Sequence, residues 1–164
     1  MEVTRTFDLL ERYATEFSNK PDALAAKVNR KWVNYSTNDY IEASNNVSYG
    51  LLALGLESGD KVATITNNRP EWNFVDMALS QTGMIHVPLF ATLTKEGYKQ
   101  IFEHAEVKAV FVSDAKLYEQ LKPIAPALFF TFDAVANARN WTEVRDLGKD
   151  NAEQCIAHVM ATKT

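Results

Sequence analysis

The chain has 164 residues, 46% hydrophobic and 23% charged, the balance of an ordinary globular domain large enough to bury a real core. Its formal net charge of −4, with no basic cluster denser than Arg30-Lys31, argues against a nucleic-acid binder, which gathers Lys and Arg on one face. No run of about 18 apolar residues supplies a membrane span, no apolar signal core follows Met1-Glu2-Val3-Thr4-Arg5, and the single cysteine, Cys155, cannot close an internal disulfide. A cytoplasmic protein is expected, at most peripheral to a membrane.

Phe7, Leu10, Ala14 and Phe17 recur at helical spacing and predict an amphipathic helix from about Thr6 to Phe17, stopped by Asn19-Lys20-Pro21. Two β-prone runs, Ala23 to Val28 and Lys31 to Tyr35, flank the polar pair Asn29-Arg30 and predict a hairpin. Asn29 tolerates the positive φ of a tight turn, although Arg30 is not its preferred partner. Ser36-Thr37-Asn38-Asp39 fits a capping box opening a helix that buries Tyr40, Ala43, Val47, Leu51 and Leu54 and ends at Gly55. Strand and helix then alternate. Lys61 to Thr66 reads as a strand and Pro70 to about Thr82 as a helix with proline at its first position. Ile85 to Leu89 is a strand; Thr94 caps a helix carrying Tyr98, Ile101, Phe102 and Ala105. Val107 to Val112 is a strand, Asp114 caps a helix to about Ile124, and Leu128 to Phe132 is a strand. The last three strands are nearly all apolar, as in a parallel sheet covered on both faces. The order predicts an α/β fold: a doubly wound, mostly parallel sheet flanked by helices, with an N-terminal helix and β-hairpin beside it. After Asp133, helices are expected at Trp141 to Leu147 and Ala152 to Met160, with no further strand.

The chemistry-bearing residues form no self-sufficient site. The six glycines make no G-x-G-x-x-G, so a dinucleotide turn is unsupported. Gly59-Asp60-Lys61 fails as a phosphate loop, because Lys61 begins a strand rather than a helix; it reads as a helix-to-strand turn. His86, His104 and His158 lie far apart. Cys155 and His158 could share a helix face, but zinc needs at least three protein ligands. No G-x-S-x-G elbow exists, and Asp114, at the Ser113-Asp114 corner, reads as a helix cap. Ligands of such folds bind where parallel strands end, here at Asn67-Asn68-Arg69, Phe90-Ala91-Thr92 and Ser113-Asp114. Those loops offer amides, hydroxyls and one guanidinium, but no general acid–base pair.

One run is more specific: Leu54-Gly55-Leu56-Glu57-Ser58-Gly59-Asp60-Lys61-Val62-Ala63, then Asn68-Arg69-Pro70-Glu71-Trp72, then Gly83-Met84-Ile85-His86-Val87-Pro88-Leu89. It resembles the N-terminal region of the AMP-binding, acyl-adenylate-forming superfamily of acyl-CoA synthetases, luciferases and nonribosomal-peptide adenylation domains. Asn-Arg-Pro-Glu-Trp most resembles the long-chain fatty acid–CoA ligase branch. Ala91 departs from the proline or asparagine many relatives carry there. Without the family, these residues have folding roles: Gly55 and Gly59 bracket a tight turn, Pro70 sets a helical φ, Glu71 faces the positive helix end, and Trp72 begins a buried stripe with Val75, Leu79 and Thr82.

The resemblance implies activation of a fatty acid with ATP and Mg²⁺ to an acyl-adenylate, followed by transfer to coenzyme A. It also implies a Ser/Thr/Gly-rich phosphate loop, a Tyr-Gly-x-Thr-Glu adenine motif and a lysine on a mobile lid. The sequence carries none of them, so no catalytic, cofactor-binding or metal residue is assigned. The expectation is that residues 1–164 are an N-terminal subdomain ending before the phosphate loop. Such a piece would be inactive alone, would hold no cofactor tightly, would meet a fatty acid only through the rest of its enzyme, and would dimerise weakly. The alternative is a stand-alone binding or interaction module built on the same subdomain.

Overall fold

The computed structural model describes residues 3–162. Helix α1 (Asp8–Glu16) is followed by β1 (Leu24–Val28) and β2 (Lys31–Tyr35). Asp8 anchors the start of α1, its carboxylate accepting from the N–H groups of Thr4 (3.1 Å) and Arg5 (2.9 Å). β1 and β2 pair antiparallel in the register Leu24↔Tyr35 to Val28↔Lys31. Asn29 (φ 49°) and Arg30 (φ 65°) are both left-handed, the geometry of a tight two-residue turn.

Helix α2 (Thr37–Ala53) opens on the expected capping box. The Ser36 hydroxyl accepts from Asp39 N–H (3.1 Å), and the Asp39 carboxylate accepts from Ser36 N–H (2.7 Å). Then come β3 (Lys61–Ile65), α3 (Pro70–Thr82), β4 (Ile85–Leu89), α4 (Lys95–His104), β5 (Val107–Val112), α5 (Ala115–Leu121) and β6 (Leu128–Thr131). The chain closes with β7 (Arg139–Asn140), α6 (Trp141–Asp150) and α7 (Ala152–Thr162). The five strands β4-β3-β5-β6-β7 form one parallel sheet.

Alternation along the strands splits the core in two. Val62, Ala109, Phe111 and Phe130 face α2, α3 and α6, meeting Val47, Leu51, Phe74, Leu79 and Val144. Ala63, Ile65, Val110, Val112 and Phe129 face α4 and α5, meeting Tyr98, Phe102, Leu117 and Leu121. Helices thus cover both faces, and the sheet is doubly wound as the strand–helix alternation predicts.

Four expectations are corrected. A further strand does follow Asp133: β7 adds Arg139 and Asn140 to β6. It is too short to carry a period. Side chains hold it instead, the Asn140 amide donating to the carbonyls of Thr131, Phe132 and Asp133 and Arg139 lying over the Phe130 ring. Second, β4 is not covered on both faces. It is an edge strand, and Ile85 is 49% exposed. Third, α5 stops at Leu121 rather than near Ile124: Lys122 still has helical backbone (φ −44°, ψ −40°), but Pro123 has no N–H with which to continue the ladder. Fourth, Ala43 and Leu54 are only half-buried on α2, and its deep positions include Ser44, Ser48 and Gly50. The reason is α6, which crosses so closely that a Cβ on Gly50 would overlap the Val144 carbonyl, and one on Gly148 the Asn46 carbonyl.

Candidate functional site at the sheet rim

The loops leaving β3 and β4 at their C-terminal ends share one cleft of about 560 Å³. Its walls are Thr66, Asn67, Asn68 and Trp72 on one side and Pro88 to Thr92 on the other. A second cleft, of about 890 Å³, lies between β1 of the hairpin and the Asn68–Glu71 corner, and reaches Asp133 beyond β6. The structure therefore brings Asn67 and Asn68 together with Phe90-Ala91-Thr92, whereas Arg69 lines the second cleft. Ser113-Asp114 lines neither cleft.

Arg69 organises this corner. Pro70 begins α3, so Arg69 stands at the N-cap in an extended conformation (φ −157°). Its guanidinium makes paired bonds to Glu71, Nε to Oε2 at 2.9 Å and Nη2 to Oε1 at 3.0 Å. It also reaches Asp133 Oδ1 at 3.0 Å and lies 4.9 Å from the Phe132 ring centroid. Burial alone would lower its pKa; the bonds and charges of Glu71 and Asp133 outweigh burial and raise it. The one guanidinium expected at the rim is thus already committed to two carboxylates.

Asp114 is the helix cap that its position predicts. Its Oδ1 accepts from Leu117 N–H at 3.0 Å and its Oδ2 from the Ser113 hydroxyl at 2.9 Å. Burial would raise its pKa, but those donors and Lys116 outweigh burial and lower it, so it is an anionic cap. Gly59 (φ 89°) sits in the turn between α2 and β3, and its N–H donates to the Gly83 carbonyl at 2.9 Å. No helix follows it to direct amides at a phosphate. Cys155 Sγ lies 3.6 Å from the Tyr49 carbonyl. The side chain of His158, its suggested companion, lies outside the described residues. Among the described residues no group of three or more His, Cys, Asp and Glu could hold a metal ion.

One polar constellation escaped the sequence reading. His86 Nδ1 lies 2.7 Å from Asp76 Oδ1, and its Nε2 lies 2.8 Å from Thr64 Oγ1. Thr64 Oγ1 also accepts from Trp72 Nε1–H at 3.1 Å. One assignment of protons satisfies the whole chain: Nδ1–H donates to Asp76, and the Thr64 hydroxyl donates to Nε2. Hydroxyl, imidazole and carboxylate in that order are the parts of an activated nucleophile. Yet Thr64 is 1% exposed, stands inside β3 rather than at its end, and already accepts from Trp72. No acyl group can reach it. The constellation is a structural relay that fixes the Trp72 indole, a wall of the 560 Å³ cleft. Two local signals foreshadow it: Trp72 and Asp76 are four apart on α3, and Thr64 and His86 lie on the same face of paired strands.

The AMP-binding enzyme family profile matches residues 10–158. The chain belongs to the AMP-binding enzyme family. Long-chain-fatty-acid–CoA ligase ACSBG2 of Mus musculus is 25% identical over 154 residues, which are 87% of this chain and 23% of that protein. The peroxisomal long chain acyl-CoA synthetase 7 of Arabidopsis thaliana is 38% identical over 80 residues, 47% of this chain and 11% of its own. The chain thus spans less than a quarter of the length of these curated relatives. Among solved structures, the Brucella canis acyl-CoA synthetase superposes with a TM-score of 0.73 at 19% identity, covering 90% of this chain and 28% of that one. The anthranilate CoA ligase AuaEII gives 0.72 at 18%, with the same coverage. At those identities the likeness is one of fold.

The sequence resemblance implies a nucleoside triphosphate with Mg²⁺, and the side-chain donors at this rim do not fit that load. They are carboxamides and hydroxyls, beside an arginine already paired with Glu71 and Asp133. No step of phosphate chemistry is derived from them.

Proposed function

We propose that the chain is the N-terminal subdomain of an AMP-forming long-chain fatty acid–CoA ligase and supplies scaffold rather than chemistry. In the whole enzyme, a fatty acid carboxylate attacks the α-phosphorus of ATP, pyrophosphate leaves, and the coenzyme A thiol then displaces AMP from the acyl-adenylate. The observation that carries this reading is the family match over residues 10–158, with relatives named as long-chain ligases. The rim supports it from the other side. Its one guanidinium is already engaged by Glu71 and Asp133, and its half-buried His86–Asp76 pair lines neither cleft. Alone, the chain is inactive and holds neither ATP, Mg²⁺ nor coenzyme A tightly.

A cytoplasmic location, at most peripheral to a membrane, is part of the same proposal. Weak self-association through β4 accompanies it, since that edge exposes Ile85 and is followed by Phe90, 82% exposed. Pro88 removes one donor from the edge, so the association stays weak and shows only at high concentration in sedimentation.

The second reading is a stand-alone interaction module, favoured by the exposed hairpin and the open β4 edge. Reading the coding DNA past Thr164 separates the two. A continuing frame with a Ser/Thr/Gly-rich loop supports the ligase; a stop codon supports the module.

A further inference from the structure

Strand β1 is paired on one side only. Its turn, Asn29-Arg30, has two left-handed residues, and the residues flanking such a turn, Val28 and Lys31, exchange both backbone bonds. Alternation then points the N–H and C=O of Leu24, Ala26 and Val28 toward β2, and those of Ala25 and Lys27 away from it. Among the described residues, these outward groups have no other hydrogen bond. They face the cleft of about 890 Å³. Leu24 to Asn29 line it in unbroken succession, whereas one face of a strand shows only alternate residues. Trp32, opposite Lys27 on one face, and Tyr35, opposite Leu24 on the other, line it too, so the cleft wraps the open edge of β1. Asn68, Pro70 and Asn73 form its far wall.

We infer that this cleft takes an extended acidic segment of a partner protein, added to β1 as a further strand. An open edge is a template for such pairing: its backbone supplies the bonds, and the side chains beside it supply the selectivity. The N–H and C=O of Ala25 and Lys27 bond the incoming backbone on one side, and the Asn68 and Asn73 carboxamides reach it from the other. The segment's side chains alternate between two faces. Those beside Ala25 and Lys27 share the face of Trp32; those beside Ala26 turn to the face of Leu24 and Tyr35, which pack against the core, and are apolar. Charge makes the first set acidic. From Ala23 to Asn38 the sequence holds no acid and three cations, Lys27, Arg30 and Lys31. All three are exposed, and none is in an ion pair among the described residues. Glu71 and Asp133, across the cleft, are already engaged by Arg69. A second copy of the chain is the competing occupant, and it fits less well. Its β1 would bring β2 with it, into the space of the far wall, and would set one basic hairpin beside another. The inference stands independently of the ligase reading.

The test is fluorescence anisotropy of a labelled peptide of about eight alternating glutamates and valines with the 164-residue chain, together with amide hydrogen exchange of that chain. The peptide should bind, added salt should weaken binding, and a peptide with lysine in place of glutamate should not bind. Exchange at Ala25 and Lys27 should slow in the complex, while Ala26 and Val28, already bonded to β2, should change little. Ala25→Pro removes one outward N–H and leaves the ladder to β2 intact, so it should weaken binding roughly tenfold. Lack of binding, equal binding of the two peptides, an Ala25→Pro chain that binds like wild type, or unchanged exchange at Ala25 and Lys27 would each overturn the inference. So would slow exchange at those two amides before peptide is added, the mark of a second copy on the edge. Binding is read without turnover, so its failure would leave the ligase reading standing.

Discussion

Arg69 and Asp133 join the two ends of the rim: the Arg69 Nη1 lies 3.0 Å from Asp133 Oδ1 and ties the corner after β3 to the turn after β6. The two partners are unequal. The Arg69 side chain is 20% exposed and Glu71 15%, whereas Asp133 is 55% exposed. Arg69→Ala should destabilise the fold by about 2 kcal/mol, because it strands the Glu71 carboxylate and uncovers Phe132. Asp133→Ala should cost less than about 1 kcal/mol, as exposed pairs do. Urea denaturation of both variants checks the order; equal losses would mean that the bridge to Asp133, not the pair with Glu71, holds the corner.

The Thr64 hydroxyl joins the Trp72 indole to the His86 ring. Thr64→Val keeps the volume but leaves both nitrogens without a partner in a buried place, and should cost about 2 kcal/mol. Thr64→Ser keeps the hydroxyl and loses one methyl, at about 0.8 kcal/mol. If the methyl rather than the hydroxyl matters, denaturation will rank the two variants the other way.

Gly148 meets the Asn46 carbonyl where α6 crosses α2. Both groups belong to helix backbone, so neither can turn aside. Gly148→Ala should lower stability on the order of 3 kcal/mol, far above the helix-propensity gain of alanine. A melting temperature equal to wild type would show that the helices can separate at no cost.

Asp8 gives the fold an acid-sensitive contact. Burial would raise its pKa, but the N–H groups of Arg5 and Thr4 and the Arg5 guanidinium outweigh burial and bring it from 3.8 down to about 2. A depressed folded pKa stabilises above the unfolded value, and that contribution fades as the carboxylate protonates. The gap in melting temperature between wild type and Asp8→Asn should be widest at neutral pH and close between about 3.8 and about 2. A gap that persists at the acid end would place the effect in packing.

What was legible in the sequence is what neighbours in sequence decide. The Ser36–Asp39 box, the Thr94 and Asp114 caps, the left-handed Gly55 (φ 87°) and the Asn29-Arg30 turn all rest on contacts within a few residues. The alternation of strand and helix was enough for the doubly wound sheet. The relay was not legible, since Thr64 and His86 are 22 residues apart and meet only when β3 and β4 pair in register. Trp72 followed from neither: periodicity assigns it to the core stripe, but its N–H draws it toward Thr64 and half of it faces the cleft. Likewise Gly50 and Gly148 look like helix defects until α6 lies across α2. The two-residue β7 exists only because the Asn140 amide finds three carbonyls beyond β6. The glycine-and-proline motif from Leu54 to Leu89 did carry the family, through backbone turns that many substitutions elsewhere leave unchanged.

The central claim is that this chain holds the scaffold of an acyl-adenylating enzyme and none of its chemistry. ATP–pyrophosphate exchange by the purified chain, with Mg²⁺ and a panel of fatty acids, tests it most directly. The account predicts exchange no greater than in the protein-free blank for every acid. Exchange that depends on a fatty acid would contradict it, and would require a catalytic site within residues 1–164.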